Sequence, residues 1–315
     1  MKTTKIVMGM AAAAVMALSL TGCMGLGNSL GNVNIAVGDG DKAINAECVA
    51  TVNFKNDSNE KARGMQFFAN KKKGITTNIT MKNLTPNSSN PGVMGLVFDK
   101  TKNDDGTYNF CLFGVRNNGG HAQAYITYFR NVAEADFTAD NFGKTQGSDQ
   151  TDITGWKKGD SSAEESNGFV QLNNIKVDNG ELSFVVEIEA LKKTALKDAE
   201  NEEEFAADAN NAYNVRIYKT PVTDGKVDLS IFKGLSNKTG DAKSAVTGKA
   251  IYSVVIPRTS VDAANDKRIE AEMGFYANVY EGQTLSGVWN VADMKHDPNV
   301  AKTAATEDSF IKIEY

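Results

Sequence analysis

Along most of the chain, apolar and polar residues alternate in short runs that clusters of Asn, Asp and Gly interrupt. A period of two marks half-buried strands, because successive strand side chains point to opposite faces. Residues 48–54 (CVATVNF), 64–69 (GMQFFA) and 75–81 (ITTNITM) are the first such runs, and their β-branched and aromatic residues favour extended backbone. Three short strands in a row predict an antiparallel sheet. The centre predicts a meander: residues 93–98 (VMGLVF), 108–115 (YNFCLFGV) and 123–129 (QAYITYF) are joined by Asp104-Asp105-Gly106 and by residues 117–120 (NNGG). Such turns need positive φ angles, which Asn and Gly adopt at little cost.

Residues 131–167 loosen into polar, Gly-containing sequence around Trp156 and predict long loops. The strand pattern resumes at 169–177 and 182–190, where Asp178-Asn179-Gly180 predicts a third hairpin. Residues 191–212 (LKKTALKDAENEEEFAADANNA) change character. Rich in Ala, Glu and Lys and free of Gly and Pro, they predict one inserted acidic helix outside the sheets. Runs at 213–219, 250–256, 273–280, 285–291 and 309–315 return to strand. About a dozen strands exceed the usual sheet of about five, so two sheets should pack face to face. Without βαβ alternation or a fixed-period repeat, the pattern predicts an all-β fold. Its form is a two-sheet antiparallel β-sandwich or jelly roll over residues 46–315.

The N-terminal run does not alternate. Met1, Lys2 and Lys5 precede an apolar stretch at 6–20. That stretch is shorter than the ~20 residues a spanning helix needs, and predicts a secretory signal over residues 1–22. It ends in Leu20-Thr21-Gly22-Cys23, which resembles the lipobox of bacterial lipoproteins. The resemblance implies that Cys23 carries a diacylglycerol and an acylated amino group as the first residue of the mature protein. Residues 23–45, dense in Gly and Asn, then predict a flexible tether. Met24 follows Cys23, where an Asp favours inner-membrane retention in some enteric bacteria, so the expected location is the outer membrane or cell surface.

Lys and Arg number 34 against 39 Asp and Glu, a formal charge of −5. The signal would take two lysines and no acid with it, leaving a more acidic body. That balance argues against nucleic acid and anionic bilayer surfaces as partners, since phosphate binding needs clustered cations. Membrane contact is expected through the lipid alone. Of the three cysteines, Cys48 and Cys111 remain after Cys23. An exported compartment permits a disulfide between them, and two buried thiols are the alternative. No CxxC or paired-His motif suggests zinc.

Asp99, Asn103, Asp104 and Asp105 are hard-oxygen residues within seven positions and are candidate ligands for a structural calcium, although the turn chemistry of Asp-Asp-Gly explains most of them unaided. Trp156, Tyr125, Tyr128 and Tyr276 are candidate sugar platforms, because an aromatic face can stack on the apolar face of a pyranose. Glu187 and Glu189 share a strand face at ~7 Å, near the ~5–5.5 Å carboxyl separation of retaining glycosidases. However, Phe184, Val186, Ile188 and Ala190 claim the core face and leave both acids on a half-solvated one. His121 and His296 lack the neighbours of a triad, and there is no G-x-S-x-G or phosphate-binding Gly loop.

The series at 95–98, 108–115, 123–129 and 274–280, with 283–285 and Val288-Trp289, is similar to concanavalin-like and laminin-G-like sandwiches. More narrowly it resembles spirochaete surface lipoproteins that carry such a domain behind a lipobox, over about residues 48–291. This resemblance implies a non-catalytic module for a carbohydrate or a host or matrix protein, often steadied by calcium. Two other classes stay open: a concanavalin-like glycoside hydrolase or lyase that uses Glu187, and an accessory subunit that anchors an exported partner.

Overall fold

The computed structural model describes residues 32–33, 44–55, 62–68, 74–86, 92–133, 150–152, 169–191, 212–257, 272–280, 282–293 and 312–314. The expected signal, Cys23, Trp156, His296 and residues 192–211 of the expected helix lie outside them. In chain order the strands are β1 (Asn32–Val33), β2 (Cys48–Lys55), β3 (Ala62–Phe68), β4 (Gly74–Lys82), β5 (Gly92–Lys102), β6 (Tyr108–Asn118), β7 (His121–Val132), β8 (Gln150–Asp152), β9 (Val170–Lys176), β10 (Leu182–Ala190), β11 (Ala212–Lys219), β12 (Val222–Thr223), β13 (Lys226–Val227), β14 (Tyr252–Pro257), β15 (Glu272–Val279), β16 (Thr284–Val291) and β17 (Lys312–Glu314). Among the described residues, each run expected to be extended overlaps one of these strands.

Two large antiparallel sheets result, beside a two-stranded ribbon of β12 and β13. One has eight strands in the order β1-β2-β16-β4-β10-β11-β14, with β17 also on β2. The other has seven, in the order β3-β15-β5-β6-β7-β8, with β9 also on β7. The fold is an all-β, two-sheet sandwich, but its strand order corrects the expectation that early strands are neighbours. β2 and β4 belong to one sheet and β3 and β5 to the other, while β16 and β15 fill the gaps between them. Crossing at each step lets every successive amphipathic strand turn its apolar face toward one shared core.

The predicted third hairpin is corrected in the same way. Asp178 and Glu181 exchange both backbone hydrogen bonds at 2.8 Å, with Asn179 and Gly180 at φ 48° and 80°. The tight turn therefore forms, yet its strands part: β9 joins β7, while β10 runs between β4 and β11. β10 is buried on both faces, with Phe184, Val186 and Ile188 in the central core and Val185 on the other side, so it suits mid-sheet.

Between the sheets lie Ile79, Phe98, Phe113, Phe184, Ile217 and Trp289, among others. The Trp289 indole N–H donates across the sandwich to the Gly95 carbonyl at 3.1 Å. Outside the eight-stranded sheet, Leu229, Phe232, Leu235 and Val246 pack on Val185, Tyr218 and Ala292. Val246 comes from a helix, α1 (Gly240–Thr247), that the sequence did not announce, since it buries this one residue. Cys48 on β2 and Cys111 on β6 are both buried and free, so the disulfide alternative gives way to two core thiols. Within the expected tether, Asn32–Val33 adds a short edge strand to β2, and Ile44 bridges to Asp228.

Candidate functional site

The candidate site is the half-buried part of the outer face of the seven-stranded sheet; other outward residues, Val93, Val97, Leu112 and Tyr276 among them, are buried in a cluster of their own. On β5, β6, β7 and β15, alternation sends Leu96, Phe113, Ile126 and Phe275 inward to the core. Register then aligns the opposite faces into two transverse rows. One runs Asn278, Val93, Arg116, Gln123, and the next runs Tyr276, Gly95, Gly114, Tyr125. The two adjacent glycines lie between two tyrosines, and both are buried. A Cβ at Gly114 would collide with the Tyr125 ring, so that ring lies over the glycine.

Where β6 meets β7, this face carries a cluster of half-buried side chains: Arg116, Gln123, Tyr125 and Phe169. Arg116 Nε donates to Gln123 Oε1 at 2.6 Å. Its guanidinium sits 3.9 Å from the Phe169 ring centroid, and Tyr125 meets Phe169 edge-on at 5.2 Å. A guanidinium stacked on an aromatic ring keeps its planar fork of donors in one orientation. The terminal nitrogens of Arg116 have no hydrogen bond or ion pair among the described residues. Nearby, Asn278 Nδ2 donates to the Tyr276 hydroxyl at 3.1 Å, and its buried Oδ1 has no partner. Turning the amide over would only exchange the unpaired end.

Of the aromatic candidates, Tyr125 belongs to this cluster. Tyr276 shares its face and row but is buried, at 2% exposure. Tyr128 is a correction. Three positions along a strand reverse the face, so Tyr128 points into the central core, opposite Tyr125. Burial, then Cys111 and Asp99, push its phenol far above the ordinary range against the opposing Arg130.

The candidate calcium ligands do not converge. A register shift between Phe98 and Thr101 puts Asp99 at φ 58° and 1% exposure, where it accepts a hydrogen bond from Tyr213 Oη at 3.2 Å. Asn103 and Asp105 instead serve the β5–β6 turn. Asn103 Nδ2 reaches Thr107 Oγ1 at 2.9 Å, and Asp105 accepts from the Thr107 hydroxyl and amide at 2.6 and 2.9 Å. Those Thr107 bonds hold the Asp105 carboxyl below the usual carboxylate range. Asp104 is exposed at the tip. Among the described residues, no three His, Cys, Asp or Glu side chains gather as a metal site.

Glu187 and Glu189 do face away from the core, but the expected half-solvated surface is covered by residues 229–247. Glu187 is 3% exposed. Arg216 Nη1 bonds both carboxylates at 3.0 Å, Tyr218 Oη donates to Glu187 at 2.7 Å, and Lys243 of α1 bonds Glu189. Burial pulls the Arg216 pKa down, but Glu187 and then Glu189 outweigh it, leaving the group above the ordinary arginine value. Burial and then Glu187 push the Tyr218 phenol up. The network ties α1 to the sheet. His121 stands at the β6–β7 turn with Nδ1 3.2 Å from the Gly119 carbonyl.

Sequence reasoning missed Arg116, Gln123, Phe169 and Asn278. One signal was available, because Arg116 is the only charged residue of β6, YNFCLFGVRNN.

No family model matches the chain, and no curated protein matches it. Two solved structures overlay on it at low similarity. A β-fructofuranosidase from Schwanniomyces occidentalis, complexed with fructosyl-erythritol, gives a TM-score of 0.30 at 11% identity over 77% of this chain and 33% of that one. A single-residue variant of the fructofuranosidase from the same organism, complexed with fructosylnystose, gives 0.32 at 10% identity over 80% of this chain and 34% of that one. The chain spans about a third of the length of each, and overlays this loose carry no activity across.

Proposed function

We propose that this chain is a lipid-anchored, extracytoplasmic β-sandwich that binds a carbohydrate without cleaving it. The observation that carries the reading is the cluster of Arg116, Gln123, Tyr125 and Phe169, half-buried on an outer sheet face with donor groups to spare. Two rings offer stacking surface to a pyranose, and a fixed guanidinium offers directional hydrogen bonds beside it. The resemblance of Leu20-Thr21-Gly22-Cys23 to a lipobox supports the anchor. Against hydrolysis stands the paired-acid candidate, since Glu187 and Glu189 are bound into a buried ion network with Arg216, Tyr218 and Lys243.

The test is a thermal-shift screen of the full chain in detergent against a glycan panel, with chromatography of the glycans afterwards. Bound ligand stabilises by RT ln(1 + [L]/Kd), about 2.7 kcal/mol at a hundredfold excess over Kd. The expected result is a raised Tm with intact glycan, and affinity about two- to tenfold weaker in Tyr125→Ala or Phe169→Ala. Cleaved glycan, lost in Glu187→Gln, would establish the hydrolase class instead. A flat panel with a second chain co-purifying would establish the accessory subunit.

A further inference from the structure

We infer that the ligand of the Arg116 cluster carries a carboxylate, so that the sugar recognised is acidic, a uronic or sialic acid unit within a glycan. This narrows the carbohydrate-binding reading above and rests on it. Two arginines stand on outer faces, one on each sheet. Arg216 has both Glu187 and Glu189 within 3.0 Å and is neutralised inside the fold. Arg116 is also half-buried, yet no carboxylate meets it among the described residues, and its partners are a neutral amide and a ring. Removing a cation from water without a counter-charge is costly, and the chain as a whole is acidic, with 39 acids to 34 bases. A half-buried cation that meets no carboxylate among the described residues suits an external anion.

The geometry sets how an anion would be held. Gln123 occupies the Nε–H and Phe169 occupies one face of the guanidinium plane. What remains is the pair of terminal nitrogens, whose N–H groups match the two oxygens of a planar carboxylate in parallel bonds. A neutral sugar hydroxyl could accept one of them but would leave the charge uncompensated. Beside the fork, the half-buried Tyr125 and Phe169 rings meet edge-on, so a sugar ring attached to the carboxylate meets an aromatic wall.

The experiment is calorimetric titration of the full chain in detergent with oligogalacturonate, hyaluronan oligosaccharides and sialyllactose, each beside its carboxyl-reduced counterpart. A sulfated, carboxyl-free oligosaccharide completes the set. Acidic forms should bind about ten- to a hundredfold more tightly than reduced forms, the range expected of a charge-assisted pair, and the sulfated probe should bind no better than a reduced one. Arg116→Gln should erase that preference, and Arg116→Lys should fail to restore it, because an ammonium keeps the charge without the fork. Lys219→Gln, an exposed charge on the other sheet, should change nothing. Melting curves of each variant separate loss of the site from loss of the fold, and Gln123→Leu, which frees the guanidinium from its partner, gives a second route to the same loss. Equal binding of acidic and reduced glycans would overturn the inference while leaving the binding module standing. A preference for the sulfated probe would overturn it in favour of a tetrahedral anion. No binding by any glycan, with all variants folded, would overturn both.

Discussion

Arg216→Met is the sharpest perturbation of the packing under α1. It removes the one cation within hydrogen-bonding reach of Glu187 among the described residues, where the Glu187 side chain is 4% exposed, while Lys243 still holds Glu189. Glu187 keeps the Tyr218 hydroxyl at 2.7 Å, but a neutral donor does not balance a buried charge. Breaking a buried pair in this way costs about 3–5 kcal/mol. At about 2–4 °C per kcal/mol for a chain of this class, the melting temperature should fall by about 6–20 °C. The double variant Arg216→Met with Glu187→Leu should recover most of the loss, because an apolar replacement of both partners leaves no stranded charge. Recovery should be incomplete by about 1–3 kcal/mol, the cost of leaving the buried Tyr218 hydroxyl without an acceptor. Calorimetric melts and urea titrations of the four proteins in the cycle supply the numbers. A single variant within about 1 kcal/mol of wild type would refute the structural role of this network, as would a double variant no more stable than the single one. If Arg216→Met left stability intact but abolished cleavage of a glycan, the two acids would be catalytic after all.

The remaining predictions concern the cysteines. Burial and then the Glu47 charge push the Cys48 thiol up to about 12, and burial pushes Cys111 well above its ordinary value of 9.0. Both folded-state values are raised, so their stability contribution is full below about pH 9 and is lost as the pH climbs toward 12, at about 1.4 kcal/mol per pH unit for each thiol. Melting temperature should therefore drop less between pH 9 and 11 in a Cys48→Ala, Cys111→Ala double variant than in wild type, and parallel curves would count against two buried thiols. At the N-terminus, Cys23→Ser should move the chain from the membrane fraction to the soluble fraction and abolish incorporation of labelled palmitate. Retention of the label would place the acyl chain elsewhere.

The strands were legible because each carries its own signal, period-two burial bounded by Asn, Asp and Gly, and residues such as Phe184, Val186 and Ile188 announce their face locally. Their partners were not legible. Pairing of β16 with β2 and β4, as in Trp289 opposite Ala50 and Ile79, joins segments far apart in sequence, and no local propensity encodes it. Turn chemistry was read correctly at Asn179 and Gly180 but does not say whether the flanking strands share a sheet. The covering of Glu187 was hidden for the same reason, because it depends on Leu229, Phe232 and α1 folding back from the other side of β11. At the site, Tyr125 was found as an aromatic on a strand. Tyr128 was grouped with it although three positions on a strand cannot share a face. Phe169 and Arg116 come together only through the pairing of β9 with β7, whose register also places Gln171 opposite Gln123.

The central claim is that the outer face of the seven-stranded sheet binds a sugar at Arg116, and a crystal structure of the chain with a bound acidic oligosaccharide tests it most directly. The carboxylate should pair with the terminal nitrogens of Arg116 at about 2.7–2.9 Å, with the sugar ring against Phe169 and Tyr125. Sugar bound over the eight-stranded sheet instead, beside Glu187 and Arg216, would contradict it.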